Sequence, residues 1–184
     1  MVLPVYVYGT PVLRKVAREI EKDEEGLDQF FKDMWDTMYK SDGIGLAAPQ
    51  VGKSVRLFVI DGTPLEEDDP TLKNFKQTFI NPQILERGGD DKTFEEGCLS
   101  IPNIREEVIR PEKIKIGYYD IDFQYHEEEY GGIAARIIQH EYDHLEGILF
   151  TDKISPLRKR MLKGKLGAIM KGKFDVSYKV KKVK

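Results

Sequence analysis

The sequence predicts an α+β fold: small mixed or antiparallel sheets packed around a central helix, with helices at the N-terminal end and one C-terminal helix. Three observations lead there. Apolar residues recur at helical spacing near both ends of the chain. Between them lie short runs that alternate apolar and polar, as strands do. An apolar run from Ile133 to Phe150 carries the pattern His140-Glu141-Tyr142-Asp143-His144.

Length and composition set the frame. A chain of 184 residues suits one catalytic domain, 1–184, ending in a basic helix and tail from about 155. With 40% hydrophobic and 33% charged residues it reads as globular. The net charge is -3, but Thr151 to Lys184 holds 12 Lys and Arg against 2 Asp and Glu. No apolar run approaches the ~20 residues of a membrane span. Met1-Val2-Leu3-Pro4 lacks a secretory signature. A cytoplasmic protein with no membrane partner is therefore expected. The single cysteine, Cys98, excludes an internal disulfide and a CxxC pair.

The elements follow in chain order. Thr10-Pro11 reads as an N-cap followed by Pro at the first helical position, opening a short helix through Ala17. A second helix is expected from about Glu24 to Lys40, with Leu27, Phe30, Phe31, Met34, Trp35, Met38 and Tyr39 as core. Gly43 to Gly52 follows, rich in small residues and ending near one amide, Gln50. It matches neither GxxxxGK[ST] nor GxGxxG, so no nucleotide cofactor is expected. Val55 to Ile60 reads as a strand, and Asp61 to Asn74 as an acidic surface loop. Phe79 to Leu85 reads as a strand with Pro82 at a bulge or edge. Gly88 to Lys92 reads as a turn; Ile104 to Arg110 and Lys113 to Phe123 as strands; His126, among three glutamates, as a loop residue. Gly131-Gly132 opens the central helix, and Ser155-Pro156 caps a last one reaching about Lys171. The basic tail from Phe174 to Lys184 is expected to be partly disordered.

The central helix carries the chemistry. Residues four apart differ by about 40° around a helix, so His140 and His144 share a face one turn apart. Two imidazoles so placed can grip one transition metal, with Glu141 beside them. HExxH alone is not decisive; a third ligand must be found. In the HExxHxxGxxH pattern it is a final His, but here Gly147 is followed by Phe150 at that position, and Phe cannot bind. The downstream carboxylates are only Glu146, Asp152 and Asp175. Upstream, Glu96-Gly97-Cys98-Leu99-Ser100 supplies the lone Cys. A thiolate with two imidazoles would leave one position open, as catalytic metals require.

Three blocks now stand in order: Gly43 to Gln50 (GIGLAAPQ), Glu96 to Ser100 (EGCLS) and Gln139 to His144 (QHEYDH). Together they resemble the three motifs of the peptide deformylases. The opening Pro11 to Ala17 and the trailing Leu145 to Phe150 are also similar to that family. The acidic loop and the basic tail depart from it.

The resemblance implies removal of the N-formyl group from formyl-methionyl nascent chains, with release of formate. It implies Cys98, His140 and His144 as ligands of one divalent ion, Fe(II) in many members with zinc, nickel or cobalt able to replace it. Glu141 would be the general base and acid. The Gln50 side-chain amide and the Leu99 backbone N–H would stabilise the oxyanion. Gly43, Ile44 and Gly45 would pair with the substrate backbone. Ile44, Ile133, Ile137 and the stem of Arg136 would form the methionine pocket. Asp143 and Glu96 lie near the ligands in sequence, but which histidine each touches is open. Likeness to bacterial members suggests that the basic C-terminal segment docks on ribosomal RNA. Two other classes stay open: a metallopeptidase, and a structural metal protein whose only spare His is His126.

Overall fold

A computed structural model describes residues 1–183. Its elements are β1 (Val5–Tyr6), α1 (Leu27–Lys40), β2 (Gly45–Ala47), β3 (Leu57–Asp61), β4 (Lys76–Cys98), β5 (Ile101–Tyr119), β6 (Tyr125–Gly131), α2 (Gly132–Leu145), α3 (Pro156–Met170) and β7 (Val180–Lys181). Strands β2 to β6 form one antiparallel sheet in sequence order. β1 and β7 form a separate parallel pair. The class is α+β, as expected.

Strand β3 shows how the core is divided. All five of its residues are buried. Successive side chains point to opposite faces of a strand. Phe58 and Ile60 join Phe79, Ile114, Ile116 and the α2 residues Ala135, Ile137 and Ile138 in one cluster. Leu57 and Val59 join the α1 residues Phe30, Phe31, Met34 and Met38 in another. One helix covers each face, so α2 is the buried central helix its apolar sequence called for.

Several expectations are corrected. The first helix is only a 3-10 turn, Pro11–Arg14, and the Thr10 hydroxyl donates to the Val7 carbonyl at 2.8 Å instead of capping it. The second helix begins three residues later than expected, after Gly26 in a left-handed conformation. Gly88 to Lys92 is not a turn. It lies inside β4, where the register shifts between Gly88 and Asp91. The two strands expected over 104–123 are one, β5, running through Pro111. A bulge between Ile80 and Gln83 accommodates Pro82. His126 lies on edge strand β6, with Nε2 2.6 Å from Asp120. Ser155 does cap α3, accepting from the Arg158 amide at 3.2 Å. The tail expected to be disordered returns as β7, which pairs with β1; Lys184 alone lies outside the described residues. Among the described residues no helix is long and apolar enough to cross a membrane.

Candidate metal centre

Two elements bring the site together. α2 presents His140 and His144, whose rings lie 5.2 Å apart at 73°. β4 ends on Cys98, which pairs with Ile101 across the two-residue turn Leu99-Ser100. The Cys98 sulfur lies 3.3 Å from His144 Nε2. One donor atom from each of Cys98, His140 and His144 falls within 4.8 Å of the others. Phe150 stacks on the His140 ring at 6.0 Å, so it packs the centre instead of completing it.

The donor set fits a divalent transition ion. A thiol sulfur and two imidazole nitrogens suit zinc, iron and their neighbours. Glu141 Oε2 and His144 Nδ1 are buried without a hydrogen-bond partner. Burial normally demands partners for such atoms. An unpaired carboxylate oxygen beside three metal donors is what a site for a polar reactant requires. Burial pushes the Glu141 carboxyl up to about 7.

Behind the histidines lies a charged cluster. His140 Nδ1 meets Glu96 Oε1 at 2.8 Å, which leaves Nε2 for the site. Arg110 grips Glu96 through Nε at 2.7 Å and Nη2 at 2.9 Å, and donates to Asp143 at 2.7 Å. Arg136 Nη1 reaches Glu96 Oε2 at 2.9 Å and the Val108 carbonyl at 2.8 Å. Burial alone would raise Glu96, yet Arg110 and His140 hold it far below the usual carboxylate range. The sequence flagged Glu96 and Asp143 but not Arg110, because nothing in an alternating strand marks which arginine turns inward.

Gln50 is buried on the other side of Cys98 from the histidines' charged cluster. Its Oε1 accepts from the Ala47 amide at 2.9 Å, fixing the side chain. Its Nε2 then lies 3.4 Å from the Cys98 sulfur and 3.2 Å from Ser100 Oγ. The Leu99 amide makes no hydrogen bond to another described backbone group. The Leu99 carbonyl accepts from the Tyr178 hydroxyl at 2.7 Å, a contact the sequence gave no sign of. Burial and the nearby Cys98 push the Tyr178 phenol up to about 12, so it remains a donor at neutral pH.

A groove of about 650 Å³ opens onto the centre. Gly43, Ile44 and Gly45, expected to pair with a substrate backbone, and Ile133, Arg136 and Ile137, expected with Ile44 to form a side-chain pocket, line it together with His140 and Glu141. A side chain at Gly45 would displace Glu141, because a Cβ there would sit 2.5 Å from its carboxylate. The Arg136 guanidinium is committed to Glu96 and to main-chain carbonyls, so only its stem is left to face the groove.

The chain is similar over most of its length to proteins of known family. The family model for polypeptide deformylase matches residues 2–160. A peptide deformylase from Christiangramia forsetii is 52% identical, covering 98% of this chain and 96% of its own. One from Salinibacter ruber is 44% identical, covering 97% and 93%. Among solved structures, peptide deformylase from Thermotoga maritima superposes with a TM-score of 0.76 at 45% identity, covering 85% of this chain and 99% of its own. That from Synechococcus elongatus, in complex with actinonin, gives 0.78 at 38% identity, covering 98% and 92%.

Proposed function

This chain belongs to the polypeptide deformylase family, enzymes that remove the N-formyl group from nascent peptides, and on that premise we propose how its own residues do so. Cys98, His140 and His144 hold one divalent ion. Fe(II) is the proposed native metal, with zinc, nickel and cobalt as workable substitutes, since thiolate and imidazole suit them all. Bound there, the ion supplies Lewis acidity and brings the pKa of water from ~15.7 toward ~7.

Glu141 takes a proton from the attacking water and later gives one to the leaving amine. Burial raises this carboxyl above the usual range, which favours its holding the proton between the two transfers. Attack on the formyl carbon puts negative charge on its oxygen. The Gln50 Nε2 and the Leu99 amide are the donors for that charge. Gln50 is already fixed by Ala47, so it needs no reorganisation during the reaction. The substrate backbone lies along Gly43-Ile44-Gly45 as an added strand, where the chain enters β2, the terminal strand of its sheet. Such pairing ignores side-chain identity, which suits an enzyme that meets many different chains. The methionine side chain enters the groove beside Ile44, Ile133, Ile137 and the Arg136 stem. A free thiolate ligand suits a reducing compartment, so we place the activity in the cytoplasm.

The observation that carries this reading is the unpaired Glu141 oxygen buried beside three metal donors. Formate release from formyl-Met-Ala-Ser tests it, using metal-loaded protein prepared without oxygen. Glu141→Ala should lower kcat by ~10²–10⁴-fold while metal content is kept. Turnover by the variant at the wild-type rate would overturn the assignment.

A further inference from the structure

The turn that follows Cys98 is held from outside the main sheet. Its two carbonyls have separate partners: Leu99 accepts from the Tyr178 hydroxyl at 2.7 Å, and Ser100 accepts from the Tyr8 amide at 2.8 Å. Those partners flank the small parallel pair. Tyr8 lies two residues after β1, and Tyr178 two residues before β7. Val5 pairs with Val180, and the Val5 amide donates to the Lys179 carbonyl at 2.8 Å. Asn103, just past the turn, donates to the Asp175 carbonyl at 3.3 Å. Phe174 and Val180 share an apolar cluster with Cys98, Ile101 and Ile104. The tail is thus fastened at several points and delivers one hydroxyl to one residue of the site.

We infer that Tyr178 is a positioning residue for the hydrolysis: its hydroxyl fixes the Leu99 backbone so that the Leu99 amide stays aimed at the developing oxyanion. This rests on the role proposed above for Leu99. The argument is preorganisation. A donor stabilises a transition state fully only if it need not be re-aimed during the reaction. Gln50 is aimed by Ala47. The Leu99 amide sits in a two-residue turn whose ends are paired but whose middle needs a tether. Tyr178 supplies it. The family model ends at residue 160, so this tether comes from outside the stretch that carries the family pattern. A tail truncation made to probe ribosome contact would therefore disturb the site as well.

Tyr178→Phe in the full-length, metal-loaded protein removes one oxygen and keeps the ring. The loss of one hydrogen bond should lower kcat about fivefold. KM for a formyl-Met peptide and the metal content should stay at their wild-type values. Amide hydrogen exchange at Leu99 and Ser100 should quicken. An unchanged kcat overturns the inference. So does a fall in kcat that merely follows metal loss or unfolding, since that is a structural role. Gln50→Met, measured alongside, separates the two levels. If it fails to lose the ~10²–10³-fold expected of an oxyanion donor, the oxyanion reading itself falls. If it loses that rate while Tyr178→Phe does not, only the tether is wrong.

Discussion

Glu95 and Glu96 are neighbours on β4, and each meets an arginine of β5 at 2.7 Å. Glu95 pairs with Arg105, and the two side chains are 59% and 62% exposed. Glu96 pairs with Arg110, and these are 5% and 3% exposed. The distances are equal; strand alternation alone sends one pair into water and the other into the interior. In water such a pair contributes ~0–1 kcal/mol. Inside, both charges are desolvated, and the pair survives only if each remaining lone pair is matched. Here it is: His140 and Arg110 share Oε1, and Arg110 and Arg136 share Oε2. The outer pair is a surface contact on the groove rim. The inner pair fixes the carboxylate that orients a metal-binding histidine. The contact distance does not tell them apart; burial and the other partners do.

Alanine in place of each glutamate sharpens this contrast. Glu96→Ala strands two buried arginines, and urea unfolding should show a loss of ~3–5 kcal/mol. His140 also loses its partner, so metal affinity should weaken by ~10–100-fold. Glu95→Ala should lose less than ~1 kcal/mol and keep its metal. Equal losses at the two positions would mean that burial does not set the difference.

The contrast also explains what the sequence disclosed. His140 and His144 were legible because a helix fixes their relation locally, and Ser155-Pro156 marked a helix start for the same reason. Cys98 was reached only by eliminating the other candidates, with the family likeness as support, because its approach to α2 spans a separation of 46 positions from His144. Arg110 was not legible at all. Its inward direction follows from the register of β4 against β5, which shifts four times along the ladder. A shift of one residue exchanges the faces of every side chain beyond it. The same holds for the tail. Val180 and Lys181 carry no strand signal of their own; they are ordered by pairing with β1 at the far end of the chain. Read locally, Gly88 to Lys92 looks like a turn, and only the partner strand makes it a bulge.

A third pair lies between the two extremes and tests the rule at its weak end. Arg14 grips Asp152 with two bonds, of 2.5 and 3.1 Å, and the side chains are 44% and 36% exposed. Asp152 also accepts from the Leu149 amide at 2.9 Å. The pair ties the first 3-10 turn to the chain just beyond α2. Partial burial would raise Asp152, but Arg14 and the Leu149 amide hold it below its usual range. A carboxylate lowered on folding adds stability above its unfolded pKa of ~3.9, and the gain fades as pH falls through the folded value. Arg14→Met should therefore cost no more than ~1 kcal/mol at pH 7, after allowing for solvent screening. The gap from wild type should hold from pH 7 to about 5 and close at more acid pH. Salt at ~1 M should shrink it, since the pair is open to solvent. The Glu96 contribution should resist that salt and persist further into acid, because its carboxylate is buried and held lower. If the Arg14→Met gap widened in acid, or ignored salt while the Glu96→Ala gap shrank, exposure would not be what ranks these ion pairs.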